Sequence, residues 1–178
     1  MVTHDEWTAA QDATTVTVDG HDLDLAYWEG GADNDGPPVV FLHGIPTWSY
    51  LWREVAPALA EDRHVVVPDM LGYGNSDMAD HFDRSIRAQE HMLEDLLAGH
   101  DTVSFVGHDI GGGAILRYAS HHPAAVDQLV LSNVVCYDSW PVEFVAELGL
   151  PETADADPGD LETQFEFAFA DGLAGDPA

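Results

Sequence analysis

The apolar positions along this chain change their period in an order that describes a layered fold. Thr14 to Val18 and Leu23 to Trp28 are rich in β-branched and aromatic residues, and Asp19-Gly20 between them is a turn pair, so the two runs predict a hairpin. Val39 to Leu42, Val65 to Val67 and Val103 to Val106 are short continuous apolar runs, the pattern of strands buried on both faces. Between these runs the period lengthens. Leu51, Val55, Ala56 and Leu59 share one face of a helix predicted over 50–60, with Ser49 as its N-cap. Ile86, Leu93, Leu96 and Leu97 mark a second helix over 85–98, and a third is predicted over 112–120 before a strand at 128–131. Strands alternating with helices place the chain in the α/β class, with a mostly parallel sheet covered on both faces and ligands bound beyond the carboxyl ends of its strands.

After Val135 this rhythm stops. An acidic loop (152–160) and one aromatic stretch (165–169) lie in a segment rich in proline and glycine, which reads as the start of a separate helical layer. The expected organisation is a core over 1–135 and a lid region beginning at 136. No stretch is long and apolar enough to cross a bilayer, and the N-terminus has neither a basic segment nor an apolar one, so a cytoplasmic protein without a leader is expected. A lone cysteine, Cys136, excludes an intrachain disulfide and is expected to be a small buried hydrophobe.

Composition changes the picture through charge alone. Thirty-three acidic residues stand against five basic ones, for a formal net charge of −28, and the acids are spread along all 178 residues. Such a surface repels itself in dilute buffer, and molar salt relieves this by shrinking the Debye length to about 3 Å. The expectation is a halophile's protein; nucleic acid and anionic membranes are excluded as partners on charge.

Three motifs carry chemistry, each at the end of a predicted strand. Gly107-His108-Asp109-Ile110-Gly111, followed by Gly112-Gly113, has the strand, sharp turn and helix of a nucleophile elbow, with aspartate in the position that serine commonly holds. The competing reading makes Asp109 only the N-cap of the next helix, but an N-cap needs no glycine on both sides. His43-Gly44-Ile45-Pro46-Thr47 follows a buried strand directly. The glycine-punctuated loop from Pro68 to Asp77 reads as pocket wall.

With these three motifs in this order over Asp22 to Val135, the sequence resembles the α/β-hydrolase superfamily, in particular its Asp-nucleophile branch of haloalkane dehalogenases and epoxide hydrolases. The resemblance implies that Asp109 attacks a saturated carbon, opening an epoxide or displacing halide, to form an alkyl-enzyme ester. A histidine, oriented by a second acid, then activates water to hydrolyse it. The backbone amides of Ile45 and Ile110 would form the oxyanion hole, and His43, Gly44, Pro46, His108 and Tyr137 would line the pocket. His108 reads as a structural hydrogen-bonder rather than a proton shuttle. The substrate implied is small and apolar, with no cofactor and no metal; HExxH and C-x-x-C are both absent.

The sequence departs from the dehalogenase pattern at two places. Those enzymes hold halide between an Asn after the His-Gly pair and a Trp after the nucleophile, where this chain has Ile45 and Ile110. His121 and His122 are expected to be carried away from the pocket, and Asn133 stands where some relatives have their acid. The remaining cap, the last strands, the acid and the histidine are therefore expected beyond Ala178. The strand at 128–131 should then be an exposed apolar edge through which the chain self-associates. The rival function is a non-catalytic binding protein that keeps the pocket without turnover.

Overall fold

The computed structural model describes residues 2–141 and 143–148 together with Asp157 and Gly159. The chain divides into two compact units, Met1–Cys136 and Tyr137–Ala178. The aromatic stretch at 165–169 and most of the acidic loop lie outside the described residues. In the second unit a helix spans Glu143–Leu148. Among the described residues no helix is long and apolar enough to cross a membrane.

The first unit is built on a six-stranded sheet of order β1-β2-β4-β3-β5-β6. β1 (Gln11–Val18) and β2 (His21–Gly30) form the antiparallel hairpin. Asp19 and Gly20 both turn with positive φ, 50° and 83°, as a two-residue hairpin of right-handed twist requires. Val16 and Val18 are buried while Thr15 and Thr17 are exposed, so β1 covers the core with one face. β2 is antiparallel to β4 (Val65–Pro68), and β4, β3 (Val39–Leu42), β5 (Val103–His108) and β6 (Val126–Ser132) run parallel. The continuous apolar runs are the central strands: β4 is buried throughout and β3 nearly so.

The helices differ from expectation in two places. No single helix spans 50–60. Ser49–Trp52 is one 3-10 turn, and α2 is limited to Ala56–Leu59. Pro57 explains the break, because in a continuous helix its ring would meet the carbonyl of Arg53 and it has no N–H to donate. Ser49 consequently caps nothing; it is buried and bonded elsewhere, and Val55, expected in the core, is 52% exposed. The second difference is α1 (His4–Ala9), which the apolar pattern did not reveal. Thr3 and Glu6 form a reciprocal capping box at its start, and its Trp7 is buried in a stack on Trp28, with centroids 5.3 Å apart.

α3 (Ile86–Leu96) begins where Ser85 Oγ accepts the Ala88 N–H, and α4 (Asp109–His121) follows β5 directly. Buried Glu90 of α3 meets Arg117 and His121 of α4, which ties the two helices together.

β6 is the last strand of the sheet, and Leu129, Val130 and Leu131 are 39%, 56% and 40% exposed. An apolar cleft of about 270 Å³ beside it is lined by Pro37, Val39, Leu59, Phe105, Val106 and Val130. An uncovered apolar edge is a template for strand pairing. The 178-residue chain is therefore expected to self-associate, and Val130→Lys to shift it toward monomer. Light scattering on a sizing column checks this; equal masses for the two would contradict it.

Candidate active site

Strand register brings the two principal motifs together. In the β3–β5 pair Leu42 lies opposite Gly107, so the chain after Leu42 and the chain after Gly107 leave the sheet side by side. Gly107 permits the sharp turn, because a Cβ there would lie 2.7 Å from Ile115 Cδ1 and 2.8 Å from Gly112 Cα of α4. Asp109 turns with φ 51°, in the left-handed region that a non-glycine residue occupies at a cost of order 1 kcal/mol. Its side chain is half-buried, and Oδ1 accepts the Ile45 N–H at 2.9 Å. The N-cap of α4 is His108, without a side-chain cap bond, so Asp109 does not serve as a cap.

Gly44 makes this hydrogen bond possible. A Cβ on it would lie 2.6 Å from Asp109 Oδ1 and 2.9 Å from its Cγ. The loop beyond closes on itself, with Thr47 donating its N–H at 2.9 Å and its hydroxyl at 2.8 Å to the Gly44 carbonyl. Ile45 is half-buried and Pro46 exposed. Ile110 is buried at the start of α4, where a first-turn amide has no intrahelical acceptor. Its N–H makes no hydrogen bond to the Asp109 carboxylate, so of the two amides only that of Ile45 engages it.

Two of the residues expected to line the pocket, His43 and His108, bond to backbone groups. His43 is buried completely. Its Nε2 accepts the Met70 N–H at 3.0 Å, which leaves the proton on Nδ1, facing the Gly44 carbonyl at 3.2 Å. Both ring nitrogens are thus committed to backbone, and the ring supports the loop from beneath instead of facing a ligand. His108 turns toward β6, where its Nδ1 meets the Ser132 carbonyl at 3.0 Å. Tyr137 belongs to the second unit and is 97% exposed. Cys136, expected to be buried, is exposed.

Burial lowers the His43 pKa from 6.5 to about 4. The unfolded chain therefore binds the extra proton between those values and the folded chain does not. Stability from this group is complete above about pH 6.5 and falls as the pH drops toward 4, by an amount on the order of 3 kcal/mol. His43→Gln is expected to flatten that part of the profile. Urea midpoints of both proteins at pH 7 and at about pH 4.5 measure it, and parallel losses would refute it.

The apolar pattern gave no sign of the polar network beneath the site. Asp69, Ser49 and Gln89 are all buried. Gln89 of α3 accepts the Leu71 N–H at 3.1 Å and donates to the Leu71 carbonyl at 2.9 Å, which fixes the loop that follows β4. Tyr73 of the same loop packs edge-on against His43, with centroids 5.4 Å apart. Its phenol pKa is raised by burial and by the charge of Asp109. Away from these residues, Glu90, Glu94 and His122 are close enough to share an ion, although Arg117 and His121 already meet Glu90.

The sheet order, the elbow and the loop facing it have counterparts among known proteins. Residues 37–172 match the family model described as the alpha/beta hydrolase fold. The chain belongs to the α/β-hydrolase fold family. It is 37% identical over 131 residues to a haloalkane dehalogenase of Mycobacterium marinum, covering 70% of this chain and 43% of that one. It is 35% identical over 124 residues to a fluoroacetate dehalogenase of a Burkholderia species, covering 66% and 40%. Among solved structures, the epoxide hydrolase CorEH superposes with a TM-score of 0.67 at 27% identity, over 90% of this chain and 59% of that one. The chain thus spans less than half the length of these curated relatives.

Proposed function

We propose that this chain carries the nucleophile of a hydrolase that opens small apolar epoxides through an ester on Asp109. The observation that carries the reading is the placement of Asp109: a carboxylate held at φ 51° on a turn between glycines, with Oδ1 on the Ile45 N–H. That bond engages one oxygen and leaves Oδ2 to attack. As Oδ2 bonds to the saturated carbon, the carbon–oxygen bond of the epoxide breaks and its electron pair moves to the ring oxygen, which takes up a proton from solvent water and leaves hydroxide. The ester carbonyl, formed at Oδ1, already lies against Ile45. When water attacks Cγ, the charge gathers on Oδ1, where the Ile45 N–H and the unengaged Ile110 N–H stabilise it.

Water attack needs a histidine. His43 is unsuitable, since both its nitrogens serve backbone groups. The base and its orienting acid are proposed to come from outside Met1–Cys136 in the whole protein. Ile45 and Ile110 supply no side-chain donor for a departing halide, which favours epoxides over simple haloalkanes. The strongly acidic composition supports a protein that works in molar salt, inside the cell.

The test is covalent labelling. After incubation with styrene oxide or 1-bromobutane in molar KCl, mass spectrometry should find one adduct, mapped to the peptide containing Asp109, forming faster with the epoxide. Label spread over the surface carboxylates would refute the reading.

A further inference from the structure

We infer that Asp69 is a positioning residue that holds the Ile45 amide against the nucleophile. This inference rests on the reading of Asp109 as nucleophile.

Asp69 follows β4 and is completely buried. Among the described residues no cationic side chain pairs with it. Three N–H groups converge on it instead: the Ser49 amide on Oδ1 at 2.9 Å, and the Asn75 amide at 2.8 Å and Gln11 Nε2 at 3.0 Å on Oδ2. Burying a carboxylate without a counter-charge is costly, and only an acceptor with lone pairs on both oxygens satisfies three donors at once.

The placement of these bonds gives the cluster its purpose. The loop that presents Ile45 runs from His43 to Ser49. Its first residue is anchored by the Met70 N–H on His43 Nε2, and its last by the Ser49 N–H on Asp69 Oδ1. Both ends are therefore pinned to the consecutive residues Asp69 and Met70, and the Ile45 amide lies between the pins. The N-terminal segment closes the arrangement. Ser49 Oγ receives Trp7 Nε1 at 2.9 Å and Gln11 Nε2 at 3.1 Å, so α1 and the start of β1 brace the same corner.

An asparagine at 69 cannot reproduce this. Whichever way its amide turns, an NH₂ faces either the Ser49 N–H or the Asn75 N–H. Releasing one pin lets the Ile45 amide move off Asp109 Oδ1 while the substrate surface stays in place. The expected signature is a loss in the chemical step and not in binding.

The experiment is single-turnover labelling of the 178-residue chain by styrene oxide over a range of concentrations, read by intact mass, with thermal melts confirming that each variant is folded. Asp69→Asn is expected to lower the saturating rate at least tenfold while the half-saturating concentration changes less than twofold, and Asp69→Glu to recover part of the rate. If Asp69→Asn labels at the wild-type rate, or loses only affinity, while Asp109→Asn stays unlabelled, the positioning role is refuted and the nucleophile stands. If Asp109→Asn labels like wild type, the nucleophile reading fails and this inference goes with it. Should Asp69→Asn not fold, Gln11→Met removes one donor from a half-buried position. A severalfold fall in its saturating rate supports the role, and an unchanged rate overturns it.

Discussion

Asp109→Asn is expected to abolish labelling by styrene oxide while leaving the fold as it is. Asparagine is among the few residues that tolerate positive φ, so the 51° turn is no obstacle to it. Its carbonyl oxygen can accept the Ile45 N–H as Oδ1 does now. What it lacks is the second anionic oxygen, because a neutral amide nitrogen does not displace at a saturated carbon. Stability should stay within about 1 kcal/mol of wild type, since no buried bond is lost. Intact mass after prolonged incubation, beside a urea melt, checks both halves. A label of wild-type extent would mean that another of the thirty-three acidic residues had been reacting.

Gly44→Ala tests the geometry instead of the chemistry. Gly44 does not have positive φ, so alanine meets no backbone objection there. The objection is contact: the new methyl would lie 2.3 Å from Asp109 Cβ and 2.6 Å from its Oδ1, and because Cβ is fixed to the backbone the two loops must part, which takes the carboxylate off the Ile45 amide. The Ile45 bond orients the carboxylate for attack, and a misplacement of about 1 Å costs about 100-fold in rate. The labelling rate is expected to fall by about 100-fold, with overpacking costing about 1–3 kcal/mol of stability. Labelling kinetics and urea midpoints together measure it. A rate within twofold of wild type would mean that the Ile45 bond has no part in the reaction.

The contrast between these residues and Asp69 explains how much could be read in advance. The elbow announced itself because Gly107, Asp109 and Gly111 stand at alternate positions of one short stretch, and the strain at Asp109 is a local property. The Ile45 amide was legible for the same reason, lying three residues past a buried strand. His108 was legible as a structural hydrogen-bonder, but its partner was not, and neither was the inward turn of His43, because adjacency to a motif does not say where a ring points. Hydrogen bonds to Met70 and Ser132 decided that. The helix expected over 50–60 failed at Pro57, a signal present in the sequence but outweighed by the apolar period. α1 had its own signal, since Thr3 and Glu6 stand at capping-box spacing, yet six residues are too few for periodicity to show.

The sequence by itself determined the α/β layering, the central strands and the identity of the carboxylate on the turn, because each depends on neighbours within a few residues. Only the tertiary structure decided that Leu42 and Gly107 share a register, that Gly44 leaves room for Asp109, and that Asp69 gathers donors from Gln11, Ser49 and Asn75. Those contacts join residues up to 65 positions apart, as in Leu42 with Gly107 and Gly44 with Asp109. A hydrogen bond at that separation leaves no periodic trace in the chain, because its geometry exists only once the sheet has brought both partners to the same edge.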